Sequence, residues 1–459
     1  MNHTEASHFL RKIESSIDVS NINYKNQNLW PPLRNRLASN LVKKNVKNKK
    51  NDNFVLLSSF FKSIFYLFIS KPKFSDLLLI SDKTYCIEIN NVLYDRVLFG
   101  IADKHKKLGK SVDKIYLDEL TCEFNKITYS SAFLFKTRIY ANLIAHAFFT
   151  IRIFRFNSLS CNSILEIEKN ISILLEECKK NDIFISSRDL IISSLSVYFH
   201  AKLITKYLKK FDNLQIYQSN SFDPICSAIN LAANSIEIDT FSVQHGGQSK
   251  NNPFFALWNN NHPKAQLFFS KSYLCWDKIS GKAIECWNLK DFKPSISITG
   301  YEWINAIKNN NIQTKQKEQL VLKSKSFFNI VYTLQPSYKL NESFLLSLSD
   351  LHPSIKVWLR SHPADKYLEN HRYNHLSSKS IITSLSDEVL LIELLSIADI
   401  HITVSSSSVF EADSCDVETL FLNSNGETYF PEIIEKGAAK YISSHTDFFN
   451  HILDKINNY

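Results

Sequence analysis

Apolar residues fall along this chain in short runs between polar ones, and the runs alternate with stretches of helical spacing. Asp76-Leu77-Leu78-Leu79-Ile80-Ser81-Asp82 is the first run, four apolar residues set between acids, and predicts a buried strand. Val112 to Leu117 predicts a second. Between them, Val92 to Leu108 is expected as a helix ending at Gly109, a residue suited to a helix C-terminus. Residues 130 to 210 carry helical periodicity without a single glycine or proline. A βαβ unit follows: strand Leu214 to Gln218, helix Pro224 to Asn234, and strand Thr240 to Val243 running into Gln244-His245-Gly246-Gly247. Proline suits the first turn of that helix because its missing N–H would have no partner there. A strand from Ile296 to Gly300 closes this half.

Lys308 to Ser326 is polar and lysine-rich and reads as a linker. The alternation then resumes with strands at Asn329 to Leu334, Ile355 to Leu359, Ser380 to Thr383 and Ile400 to Val404, and a helix over 387–398. Strands separated by helices of this length imply parallel sheets. The expected fold class is α/β, with two Rossmann-like domains facing across a cleft and a helical N-terminal preface. The boundaries are 1–74 for the preface, 75–305 and 327–440 for the two domains, and 441–459 for a C-terminal helix.

With 459 residues, 44% hydrophobic and 22% charged, the chain has ordinary globular composition and the length of two domains. Its net charge of +9 is uneven, with Lys43, Lys44, Lys47, Lys49 and Lys50 clustered before the apolar run Phe54 to Ser70. That run is short for a membrane span and holds Lys62. It reads first as a buried or amphipathic helix, and otherwise as a helix lying on an inner membrane leaflet beside the lysines. No RNA- or DNA-binding signature accompanies the charge, so nucleic acid is not an expected partner. Eight cysteines without a CxxC pair, and a polar N-terminus, point to reduced thiols and the cytoplasm, with a peripheral place on the membrane's inner face as an option.

Four strand ends carry candidate chemistry. Ser405 to Ser408 lies between a strand and a helix expected to begin near Ser408, where hydroxyls and free N–H groups suit a phosphate. Simple N-capping by serine is the alternative. Glu411, one turn in, could reach a ribose hydroxyl or merely favour the helix start. Arg360, His362 and Pro363 follow another strand, and an imidazole there can donate to a phosphate oxygen. Gln244, His245 and Gly246 belong to a strand end that uses two of only eight glycines side by side, which allows close backbone approach to a ligand. Asp223, before Pro224, is an N-cap by position and a general base or nucleophile by chemistry. The chain has no Walker A motif, no G-x-G-x-x-G, no G-x-S-x-G and no metal-ligand cluster of convincing spacing, so no metal or other cofactor is expected.

The His362-Pro363 and serine-run pair resembles the HP and Ser-Ser motifs of bacterial sialyltransferases. Together with Gln244-His245-Gly246, Tyr273-Leu274-Cys275-Trp276, the strand ending at Gly300 and Ser406-Ser407-Ser408-Val409-Phe410-Glu411-Ala412, it looks like bacterial GT-B transferases of capsule and lipopolysaccharide synthesis, β-Kdo transferases among them. The resemblance spans about residues 75 to 430. It implies a glycosyltransferase moving a Kdo- or sialic-acid-type sugar from a CMP-activated donor to a cell-surface polysaccharide or lipid-linked glycan. His362, Ser406 and Ser407 would contact the CMP phosphate, Glu411 would lie by the nucleotide, and Asp223 would be at the reacting centre. Two features depart from those families: Ser414-Cys415-Asp416 replaces a glycine turn, and the sialyltransferase acidic-acidic-glycine motif is absent. The alternatives are another nucleotide-dependent enzyme of the same fold, such as a UDP-sugar transferase or epimerase or a CDP-glycerol-type transferase, and a non-catalytic capsule-assembly protein.

Overall fold

The structure is a computed structural model and describes residues 3–42, 75–117, 129–151, 159–255, 257–309, 311–335, 340–362 and 373–458. The lysine cluster 43–50, the Phe54–Ser70 run and Pro363 lie outside the described residues. The chain divides into two compact units, one of residues 1–85 and 95–300, the other of residues 86–94 and 301–459.

Unit 1 is built on a parallel sheet of β1 (Leu77–Ser81), β2 (Val112–Tyr116), β3 (Gln215–Gln218), β4 (Asp239–Val243), β5 (Ser272–Cys275) and β6 (Ser295–Ile298). Their order across the sheet is 2-1-3-4-5-6, and each adjacent pair is parallel. A strand covered on both faces alternates its side chains between two cores, and β1 does so. Leu78 and Ile80 join the larger core, whereas Leu77 and Leu79 join a smaller one with Tyr217 and Val243.

The residues set apart as a preface contribute to this larger core. Helix α1 (His3–Ser16) buries Phe9, Leu10 and Ile13, and α2 (Trp30–Val42) buries Leu33, Leu37 and Leu41 at one-turn spacing. Helices α3 (Tyr129–Ile151), α4 (Leu159–Lys180) and α5 (Ser187–Leu208) occupy the glycine-free stretch, and α6 (Pro224–Asn234) connects β3 to β4. No described helix is long and apolar enough to cross a membrane.

One sequence expectation fails here. Val92–Asp95 is a strand, paired with Cys86–Ile89 in a two-stranded hairpin, and the helix begins only at Ile101. The cause is local. Asn90 and Asn91 both take positive φ, 51° and 65°, as a two-residue hairpin turn requires and asparagine tolerates. Gly109 does adopt positive φ, 75°, just past the helix.

Unit 2 is a second parallel sheet: β7 (Phe328–Thr333), β8 (Ile355–Arg360), β9 (Ile381–Ile382), β10 (Ile400–Thr403), β11 (Glu418–Phe421) and β12 (Ala439–Tyr441). Numbered within the unit, its order is 3-2-1-4-5-6, the doubly wound arrangement of dinucleotide-binding sheets. Ile330 and Val357 pack in one core and Val331 and Trp358 in the other. The expected linker holds two helices, Glu302–Lys308 and Lys317–Ser324, and the expected helix over 387–398 is two short ones, Ser384–Glu388 and Leu391–Leu395. Helix α7 (Ser408–Ser414) follows β10, and α8 (His445–Asn457) ends the unit.

A buried ion pair joins the two N-terminal helices to each other and to the loop after β4. Arg34 Nε lies 2.8 Å from Glu14 Oε1, with both side chains essentially inaccessible. The Trp30 indole donates to the same oxygen at 2.8 Å, and the guanidinium stacks 3.9 Å from the Trp258 ring centroid while donating to Pro253 O. Burial pushes the Glu14 carboxyl up and the Arg34 guanidinium down, and each offsets the other's cost. Arg34→Ala leaves an uncompensated buried carboxylate and is expected to cost about 3–5 kcal/mol in chemical denaturation. Replacing Arg34 by Met and Glu14 by Leu together should recover most of that loss. A double variant as unstable as the single one would show the pair to be irreplaceable.

Candidate functional site

In an open parallel sheet the point where strand order reverses leaves a crevice outside the strands' carboxyl ends, and ligands bind there. In unit 2 that point lies between β7 and β10. Thr333 is level in register with both Arg360 and Thr403, so three strand ends stand side by side with β7 in the middle. The serine strand and the His362 strand are therefore not neighbours. Gln335, just past the end of β7, fills the place between them, and its Oε1 accepts from Ser405 N at 3.0 Å.

The serine run divides its labour. The Ser408 hydroxyl points inward, 3.1 Å from Thr333 Oγ1 and 3.4 Å from His401 Nε2. The Ser406 hydroxyl accepts from Ser408 N at 3.2 Å and so closes the turn into α7, which has only seven residues. Ser405 is nearly buried, Ser406 half-buried and Ser407 exposed, and the N-cap position Ser407 makes no side-chain cap bond. Glu411 lies in the first turn of α7, half-buried. Beneath the run, His401 is fully buried and bonds Thr333 Oγ1 through Nε2 at 3.0 Å and Thr419 Oγ1 through Nδ1 at 2.9 Å. Burial holds this ring neutral, with a pKa of about 3.

Arg360 has a different role from a ligand-facing cation. Its guanidinium is buried and donates to the carbonyls of Ser386 and Val389, the latter at 2.7 Å, while Asp387 accepts from Ser361 N at 2.9 Å. It fastens the end of β8 to the short helix Ser384–Glu388 and its C-cap Val389. His362 follows directly, half-buried.

Unit 1 has its own reversal of strand order, between β1 and β3. Asp82 follows β1, Ser219 to Asp223 follow β3, and Gln244-His245 follow β4, so three adjacent strand ends gather at one edge. Ser242 Oγ donates to Ser221 Oγ at 3.0 Å and ties two of these ends together. Asp223 Oδ1 caps α6 through Ile225 N at 2.7 Å. Phe222 beside it packs edge-on against Phe255, ring centroids 4.8 Å apart, and parallel to Trp258. Burial among such groups raises the Asp223 pKa, with Arg138 and the backbone N–H bonds opposing and Asp82 adding to the rise. His245 is shifted the other way, to about 4, by burial, against the opposing pull of the Ser219 backbone and Asp82. Asp82 thus bears electrostatically on both the Asp223 carboxyl and the His245 imidazole.

The other two members of this strand end behave differently. The Gln244 amide is consumed locally: Nε2 donates to Gly246 O at 3.0 Å and Ser280 Oγ at 2.9 Å, and Oε1 accepts from Trp276 N at 2.8 Å. Gly246 does not take positive φ, and a Cβ there would meet nothing within 4 Å, so its backbone makes no demand for glycine. Sequence reasoning missed Asp82, Tyr85, Arg138, Gln335 and His401. Asp82 and Gln335 could have been found, since each is the first polar residue after an apolar strand. Among the described residues no group of three or more His, Cys, Asp or Glu side chains could hold a metal ion.

No family model matches the chain, and no curated protein matches its sequence. Among solved structures it is similar to the UDP-GlcNAc 2-epimerase of Methanocaldococcus jannaschii in complex with UDP-GlcNAc and UDP, at 14% identity and a TM-score of 0.44, covering 83% of this chain and 92% of that one. It is also similar to the Neisseria meningitidis UDP-GlcNAc 2-epimerase bound to UDP-GlcNAc, at 17% identity and a TM-score of 0.38, covering 63% and 81%. At such identities and scores the two likenesses assign the chain to no family.

Three histidines held neutral by desolvation contribute to the acid limb of stability. His200 and His401 have folded values of about 3 and His245 of about 4, against an ordinary 6.5. As pH falls below 6.5 the unfolded chain takes up protons that the folded chain refuses, so stability drops by up to about 1.4 kcal/mol per pH unit for each histidine. Asp223, raised, works in the opposite sense, because the folded chain protonates it first. Urea unfolding should show a lower midpoint at pH 5 than at pH 7, and equal midpoints would contradict the buried neutral histidines.

Proposed function

We propose that this chain is an enzyme acting on a nucleotide-activated sugar, with the nucleotide held at the strand-order reversal of unit 2. The observation that carries the proposal is the strand order of unit 2. A 3-2-1-4-5-6 parallel sheet offers its crevice at one point, and that point holds Gln335 and Ser405 to Ser407. Hydroxyls and backbone N–H groups there suit phosphate oxygens, and His362 stands one strand further along. In unit 1, a neutral His245 can take a proton from a reacting hydroxyl at neutral pH, and Asp223 can act as acid or, once ionised, as base or nucleophile.

The CMP-linked sugar acid is the narrower form of the proposal, with a cell-surface glycan or lipid-linked glycan as acceptor. We place nucleotide-sugar chemistry in general ahead of it. The HP and serine elements leave from strands separated by β7, so their spacing in the chain does not by itself select CMP, and UDP-sugar transfer or epimerisation fits the same groups. Metal independence and a cytoplasmic location belong to the proposal as well, the latter supported by the cysteine pattern.

A panel of CMP-, UDP- and CDP-linked sugars tests the reading by thermal shift and by turnover. A true donor present at about 100 times its Kd should stabilise the protein by about 2.7 kcal/mol. Ser406→Ala combined with His362→Ala should abolish that stabilisation, and EDTA should leave turnover unchanged. Asp223→Asn and His245→Ala should each lower turnover by about 100-fold or more while leaving donor stabilisation in place. If no panel member raises the melting temperature, the nucleotide-sugar assignment fails.

A further inference from the structure

The base proposed above has a neighbour that the sequence did not single out. The Tyr85 ring packs against the His245 imidazole, with centroids 5.2 Å apart and planes inclined by 41°. Tyr85 ends a short turn that begins at Asp82. Its N–H donates to Asp82 O at 3.0 Å, and Asp82 Oδ1 accepts from Thr84 N and Thr84 Oγ1 at 2.9 and 2.7 Å. Both half-buried rings therefore stand on strand ends of unit 1, one after β1 and one after β4.

What sets Tyr85 apart is where the chain goes next. Tyr85 is the last residue of unit 1 before residues 86–94, which belong to unit 2, and the chain returns to unit 1 at Asp95. The excursion is the hairpin with the Asn90-Asn91 turn. Within unit 2, Asn90 Nδ2 donates to Gln313 O at 3.2 Å, and the Tyr94 ring lies 5.9 Å from that of Trp303. Where the chain re-enters unit 1 it is fastened at once. Arg96 N and Nε both donate to Tyr85 O, at 3.1 and 3.2 Å. Asp95 Oδ1 accepts from Val97 N and Leu98 N, and its Oδ2 pairs with Lys114 at 3.1 Å. The base of the hairpin is thus closed by Arg96 on Tyr85 O and by the Asp95 turn.

We propose that Tyr85 is a positioning residue for His245, and that the 86–94 hairpin makes this positioning respond to unit 2. The inference rests on reading His245 as the base of a nucleotide-sugar reaction. The flat phenol excludes water from one side of the imidazole and fixes its plane, and burial holds the phenol itself protonated. The other groups facing His245 are the Ser219 backbone and Asp82, both of which favour the charged ring. Removing the ring of Tyr85 therefore unmasks them.

The test is a titration of His245 in the unliganded full-length protein, by NMR of labelled histidine assigned with His245→Gln. Tyr85→Ala should raise the pKa by about one unit or more, while Tyr85→Phe, which keeps the ring, should hold it within a few tenths. Should the alanine variant fail to fold, Tyr85→Leu, which fills space without a flat face, should shift the titration in the same direction. An unshifted titration in a folded Ala or Leu variant overturns the positioning role. Asn90→Ala combined with Tyr94→Ala loosens the hairpin on unit 2 while leaving Asp82, Tyr85, Asp223 and His245 in place. It should speed hydrogen exchange of the 82–85 amides by about tenfold, since exchange reports local opening, and move the His245 titration upward. Unchanged exchange and titration would overturn the link to unit 2. The titration needs no nucleotide, so a failed donor panel would refute the proposed function without touching this result.

Discussion

Each strand of the two central sheets runs parallel to its neighbours, and the β1, β7 and β8 side chains alternate between cores on opposite faces. That constraint decides where polar chemistry can stand. A buried polar side chain within such a strand turns its bonding inward, as His401 does to Thr333 and Thr419. Polar groups free for a ligand are left to the carboxyl ends, and the strand order selects which ends open into a crevice. Both candidate clusters, Gln335 with the serine run and Asp82 with Asp223 and His245, follow from this rule.

The loop after His245 shows how much scaffolding a strand end needs. Its carbonyls are held by residues distant in sequence: Lys250 O by Arg11, Asn251 O by Ser7, and Pro253 O by Arg34. Asn28 and Asn260 add a buried amide pair at 2.9 Å. The two N-terminal helices therefore act as a brace on the segment that carries the imidazole. Their buried Arg34–Glu14 pair is costly to desolvate, and its bonds to Trp30 and to the loop carbonyls offset that cost. The Tyr85 ring packs against the same imidazole, on a turn whose continuation belongs to unit 2.

Much of this was legible in the residues. Pro224 with Asp223 before it predicted a helix start, and the structure has the cap bond at that position. The serine run predicted a helix beginning near Ser408, and α7 begins there. The alternation of strands and helices predicted two α/β halves with parallel sheets, and both sheets are parallel. What misled was local ambiguity. Val92 to Leu108 holds apolar residues at helical spacing, yet two asparagines before it turn the chain back as a hairpin. Arg360, charged and at a strand end, read as a ligand group, although its guanidinium holds backbone carbonyls of a neighbouring turn.

By itself the sequence determined most of the strands and helices, because caps, turns and hydrophobic periodicity act over a few residues. It also determined that polar groups stand at the ends of buried strands. Only the tertiary structure decided which ends are adjacent. Strand order arises from packing between segments up to a hundred or more residues apart, so the chain gives no local sign that β7 separates His362 from the serines. Nor does it show locally that Asp82, Tyr85 and His245 meet, or that an arginine at position 34 braces a loop more than 200 residues away.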